Sequence, residues 1–162
     1  MAHYDFEKDL PTGENGEQVV ARTLYEYKGW YPVKFNKTKE YDILMQPEGH
    51  DSDLLKVEVK TDVYPHDTGN LLIERRNKGR QSGINTTEAD YWAYLYPHHP
   101  ACNLWLIETD KLKKLINEYN FYDNREEGYI VEKWVGDNKD ALCWIIPRSK
   151  YAIWFEMLTA FL

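Results

Sequence analysis

The sequence predicts a single α/β domain over residues 1–162, with a mixed central β-sheet flanked by helices. Three observations predict it. The chain is 162 residues long and 43% apolar, with 6 Trp, 13 Tyr and 5 Phe, enough to build one sizeable core. Segments with helical spacing of apolar residues are interleaved with short aromatic and β-branched runs, in the order helix, strands, helix, strands, helix. No internal repeat or low-complexity segment interrupts that order.

Taken in order, residues 14–28 read as a helix, with Val19, Val20, Leu24 and Tyr27 at helical spacing and Gly29 as a stop. "WYPVKF" (30–35) reads as a strand followed by the polar turn "NKTK". "YDILM" (41–45) is a second strand ended by Pro47 and Gly49. "LKVEVKTD" (55–62) alternates, with Leu55, Val57 and Val59 on one face and Lys56, Glu58, Lys60 and Asp62 on the other. "PHDTGN" is a turn, "LLIE" (71–74) a strand, and "RRNKGRQSGINTT" a polar, Gly-containing loop. Thr86 or Thr87 is placed to cap a helix through "EADYWAY". "NLWLIE" (103–108) is a strand, and Thr109 caps a helix carrying Leu112, Leu115 and Ile116 on one face. "GYIVEKWV" and "ALCWIIP" are strands. "SKYAIWFEMLTAFL" reads as a final helix with Ile153, Leu158 and Phe161 inward. Its apolar residues spread over more than one face, which suggests burial or a homodimer contact.

Composition narrows function. A net charge of −7 argues against coating nucleic acid by bulk charge, so any phosphate binding needs a local basic patch. No apolar run is long enough to span a bilayer, and the opening residues lack a basic patch followed by an apolar stretch. Cys102 and Cys143, without a CxxC spacing, suggest neither a disulfide framework nor a zinc site. A reduced, cytoplasmic setting is expected. His98 and His99, adjacent in "YPHHP", have no third partner at zinc spacing and read as a surface turn.

Glu58 and Lys60 are two apart and share a strand face. If strands 41–45 and 55–62 are neighbours, Asp42 sits beside Glu58, while its flanking Tyr41 and Ile43 point away. Two converging carboxylates repel each other, and a divalent cation with a preference for hard oxygen ligands relieves that cost. Such an ion can polarise a phosphate and lower the pKa of an attacking water. Lys60 could position that water, help deprotonate it, or stabilise transition-state charge.

An amphipathic helix bearing Glu17, then Asp42, then Glu58-Val59-Lys60 resembles the PD-(D/E)xK nuclease superfamily. The resemblance implies a restriction-endonuclease-like core ordered helix, strand, strand, strand, helix, strand. It implies Asp42 and Glu58 as ligands of Mg²⁺ (or Mn²⁺), with the Val59 carbonyl assisting. Lys60 would activate water or stabilise charge. Glu17 would be an outer ligand of the kind carried by archaeal-type Holliday junction resolvases, although Glu14 competes for that place. Tyr41 stands where the family often has Pro. "TGNLLIERRNKGRQSGINTTEADYWAYL" (68–95) and "LWLIETDKLKKLI" (104–116) resemble small phage and bacterial endonucleases of that superfamily. The implied activity is metal-dependent endonucleolytic hydrolysis of DNA, in the host cytoplasm if the chain is phage-encoded. The alternative is an inactive nucleic-acid-binding or protein-interaction domain on the same fold.

The positive charge lies in "ERRNKGR", where Arg75, Arg76, Lys78 and Arg80 outnumber Glu74. These four, with Ser82, Gly83, Asn85 and Thr86, are the candidate DNA contacts. Glu74 is open to a ligand role or to pairing with Arg75 or Arg80. Lys34, Lys37 and Lys39 form a second basic cluster.

Overall fold

A computed structural model describes residues 16–36, 40–49, 53–62, 68–99 and 101–161. Glu14, Lys37 and Lys39 lie outside the described residues.

The first helix, α1 (Gly16–Lys28), buries Val20, Ala21 and Leu24 and ends at Gly29, whose φ of 68° suits a residue without a Cβ. It packs against a six-stranded sheet ordered β1 (Trp30–Phe35), β2 (Ile43–Pro47), β3 (Leu55–Thr61), β6 (Tyr91–Leu95), β7 (Leu104–Glu108) and β10 (Glu156–Leu158). The β3–β6 pair is parallel and the other pairs are antiparallel. A second, antiparallel sheet is ordered β5 (Arg80–Gln81), β4 (Asn70–Asn77), β9 (Ala141–Pro147) and β8 (Val131–Val135). Helix α2 (Thr109–Tyr119) follows β7.

Strand alternation divides the interior in two. Ile43, Met45, Val57, Ala93, Leu95, Leu104 and Leu106 face α1. Trp92, Tyr94, Trp105 and Ile107 face the other way, onto Leu112, Leu115 and Ile116 of α2 and Leu71, Ile73, Trp144 and Ile146 of the second sheet. Mixed α/β architecture with a mixed central sheet is therefore what the chain adopts, and β2 and β3 are neighbours, with Ile43 opposite Val57.

Several expectations are corrected. Residues 91–95 are a central strand, not a helix capped by Thr86 or Thr87. With one core on each side, this strand carries no polar face, so the alternation that marks a half-exposed strand is missing. Thr87 Oγ1 instead accepts the N–H of Ala89. The polar loop after residue 74 is a hairpin: β4 runs on through Arg75, Arg76 and Asn77, then turns at Lys78-Gly79. Both turn residues have positive φ, 48° and 75°, the backbone that a two-residue hairpin turn requires. Thr109 is the first residue of α2 rather than its cap, and its hydroxyl donates to the Ala89 carbonyl.

The final helix is also absent. A short α3 (Arg148–Tyr151) and a 3-10 turn (Ala152–Trp154) lead into β10, which pairs with β7. Leu158 is buried as expected, but Ile153 is 89% exposed and Phe161 is also exposed. The helical face that suggested a homodimer contact therefore does not exist. Tyr41 and Ile43 also part company, because β2 starts only at Ile43: Ile43 joins the α1 core and Tyr41 packs against the other. His98 lies in a turn after β6, as the sequence suggests.

No described helix is long and apolar enough to cross a membrane.

Candidate active site

Asp42 sits just ahead of β2 and is held from three sides. Its N–H donates to the Val57 carbonyl (3.0 Å), its carbonyl accepts the Asn36 N–H (2.7 Å), and its Oδ2 accepts the Val59 N–H (2.7 Å). The β2–β3 ladder ends at Ile43–Val57, so without this carboxylate Val59 would present a bare donor. A strand residue's N–H and C=O point to the same side. The Val59 carbonyl therefore faces the gap beyond the end of β2, next to Asp42.

Glu58 and Lys60 lie on the face of β3 turned from α1, level with Trp92 and Tyr94 of β6. Lys60 Nζ is 2.7 Å from Glu58 Oε1 and 5.7 Å from the Trp92 ring centroid. The Glu58 side chain is only 12% exposed. Burial raises its pKa above the ordinary glutamate value; Lys60 opposes that shift, while Asp42 and Glu74 add to it. For Lys60, burial pulls the pKa down, but the charge and hydrogen bond of Glu58, with Asp42 and Glu74, outweigh it. The ammonium is held above the usual lysine value and stays charged at neutral pH.

Glu17 enters from α1. A Cβ on Gly16 would collide with the Thr61 side chain, so the glycine lets the helix start against the end of β3. Burial raises the Glu17 pKa, with further increments from Asp42 and Glu58. Three carboxylates thus share one electrostatic neighbourhood.

Asp42, Glu58 and Lys60 line one wall of a cleft of about 850 Å³; the hairpin supplies the opposite wall. There Glu74 points away from the core side chains Leu71 and Ile73 and is gripped by Ser82 Oγ–H (2.7 Å) and Asn77 Nδ2–H (3.3 Å). Its partners are therefore Ser82 and Asn77, not Arg75 or Arg80. Gly83, with φ of 52°, packs against the Glu74 backbone where any Cβ would strike the carbonyl. That contact brings Ser82 within reach of Glu74. Lys78, Arg80, Gly83 and Thr86 also line the cleft, as do Asn77, Gln81 and Thr87, which sequence reasoning missed.

Three candidate contacts lie outside this cleft. Arg75 bonds Glu132 and stacks on Trp144, with its guanidinium carbon 4.7 Å from the ring centroid. Asn85 donates to the Arg75 carbonyl and to Gln81. Arg76 and Lys34 are exposed and lie outside the cleft wall.

Among the described residues, no three His, Cys, Asp or Glu side chains form a ready-made metal-ligating group. Asp42 and Glu58 line the same wall of the cleft, and the Val59 carbonyl faces the gap next to Asp42. This hard donor set suits Mg²⁺, which takes one or two carboxylates and completes its shell with water and phosphate.

No protein-family model matches this chain, and no curated protein or solved structure matches it.

Proposed function

We propose that the cleft is the active site of a Mg²⁺- or Mn²⁺-dependent DNA endonuclease of the PD-(D/E)xK kind. The observation that carries this reading is the arrival of Asp42, just ahead of β2, and of Glu58 and Lys60 from its neighbour β3 in one cleft. The element order helix, strand, strand, strand through α1, β1, β2 and β3 supports it. One departure stands out: the crossover from β3 to parallel β6 runs through the β4–β5 hairpin, where the family order has a helix.

Asp42, Glu58 and the Val59 carbonyl would hold the ion, with Glu17 behind them. When bound, the ion would polarise the phosphate and acidify a water. Lys60, paired with Glu58, would stabilise charge on the phosphate or orient the attacking water. Lys78 and Arg80 would take flanking phosphates, and the hairpin amides would fix the strand's register.

The test uses supercoiled plasmid and a synthetic four-way junction, with Mg²⁺, Mn²⁺ or EDTA. Metal-dependent cutting by the wild type, lost in Asp42→Asn, Glu58→Gln and Lys60→Ala, is the expected result. Binding without cutting would replace this reading with an inactive nucleic-acid-binding domain. Neither binding nor cutting would remove both.

A further inference from the structure

The β4–β5 hairpin and its following 3-10 turn have two sides. Glu74, Lys78, Arg80 and Ser82 face the cleft. Arg75, Ile84 and Asn85 face away, into a second cavity of about 440 Å³ closed by α2 and the loop after it. Ile84, Ile116 and Trp144 make its buried apolar floor. Its rim is polar: Lys113 and Asn117 from α2, then Tyr122 and Asp123.

Tyr122 is 75% exposed, yet it sits on a built turn. The buried Asn120 donates to the Ile116 carbonyl (2.9 Å) and accepts the Asp123 N–H (2.7 Å), bracketing Tyr122 between them. The turn thus fixes the backbone that carries a large, water-exposed aromatic ring at the mouth of a small cavity.

The charges at this cavity are few and mostly matched. Arg75 is neutralised by Glu132. Lys113 forms no ion pair among the described residues and shares the rim with Asp123. A polyanion would find no track here, whereas one planar ring and one phosphate would find an apolar floor, a stacking partner, amides and a cation.

We propose that this cavity binds a single unpaired nucleobase, so that nucleic acid held in the cleft presents a single-stranded stretch passing over the hairpin. For the class of ligand, the inference rests on the nucleic-acid reading of the cleft; the cavity itself does not depend on that reading. It also gives Arg75 and Asn85 a nucleic-acid contact on the side opposite the carboxylates.

The experiment measures fluorescence anisotropy of a labelled oligothymidylate with the full-length protein in EDTA, beside an unlabelled duplex competitor. Tyr122→Ala is expected to weaken oligothymidylate binding about tenfold, the scale of one lost base stack. Lys113→Glu should weaken it as well, and Tyr122→Phe should restore wild-type affinity. Duplex affinity should not change. Oligothymidylate that ignores Tyr122→Ala and Lys113→Glu, or that does not bind the wild type, overturns the proposal. The two readings fail separately. Binding that depends on Tyr122 in a protein that never cuts would leave the cavity standing and remove the nuclease. Metal-dependent cutting by a protein whose oligothymidylate binding ignores Tyr122→Ala and Lys113→Glu would do the reverse.

Discussion

The two walls of the cleft are built on different principles. On the sheet wall, Glu58 and Lys60 belong to a strand paired with β6 at their level and with β2 as far as Val57, and Asp42 is tied to that strand by backbone and side chain. On the hairpin wall, Lys78 and Arg80 are exposed residues at a two-residue turn. The first wall fixes charges that repel one another and are costly to bury; the second presents charges that water already solvates. Chemistry needs groups held to a fraction of an ångström, whereas phosphate binding tolerates play. On the nuclease reading proposed above, the difference would assign reaction to the sheet and grip to the hairpin.

The sharpest way to break that assignment is at Asp42 and Glu58. Asp42→Asn should lower cutting by on the order of 10³-fold or more, with DNA affinity and Tm close to wild type. The amide oxygen can still accept the Val59 N–H, so the sheet stays closed. Equal losses of binding and cutting would mean that the sheet wall serves grip instead. Next comes Gly83→Val, which forces a Cβ against the Glu74 carbonyl at positive φ and should cost about 1–3 kcal/mol in a denaturant melt. Unchanged stability would show that the hairpin is not pinned to β4 at that point.

A smaller effect belongs to the hairpin cations. Lys78→Ala with Arg80→Ala should weaken DNA binding about tenfold, flatten its salt dependence by roughly one unit of slope per lost contact, and leave the rate at saturating DNA unchanged. A fall in that saturated rate would merge the two walls into one machine. The smallest effect sits at Glu17. Its pKa is raised in the folded protein, so the ionised form is disfavoured there, and stability from this group grows as pH falls toward the ordinary glutamate value. Glu17→Gln should therefore raise the Tm of the metal-free protein by about 1–2 °C at pH 7 and lose that gain near pH 4. A pH-independent gain would detach Glu17 from the carboxylate cluster.

The sheet wall was legible because Leu55–Lys60 has one buried and one polar face, so period-two alternation names Glu58 and Lys60 together. The hairpin wall was not, because Arg75, Arg76 and Asn77 look like a loop when no buried residue punctuates them. Extending the strand through Asn77 would have put Glu74 and Arg75 on opposite faces and separated the two cavities. Tyr91–Leu95 was misread for a different reason. It is buried on both faces and too short for periodicity to distinguish strand from helix, and the Thr-Glu-Ala-Asp ahead of it mimics a helix start. Near the C-terminus, Leu158 and Ala160 point to the α1 core at strand spacing, but Ile153, Trp154 and Phe155 mask that period.

The route from β3 to β6 passes through the hairpin, so its exposed turn is also a splice point. A break between Lys78 and Gly79 would leave one piece holding α1 and β1 to β4, and another holding β5 to β10 with α2. Each sheet would then contain strands of both pieces, joined by the β3–β6, β4–β9 and β4–β5 pairings. Severed at its tip, the molecule would become a heterodimer whose halves each complete the other's sheets.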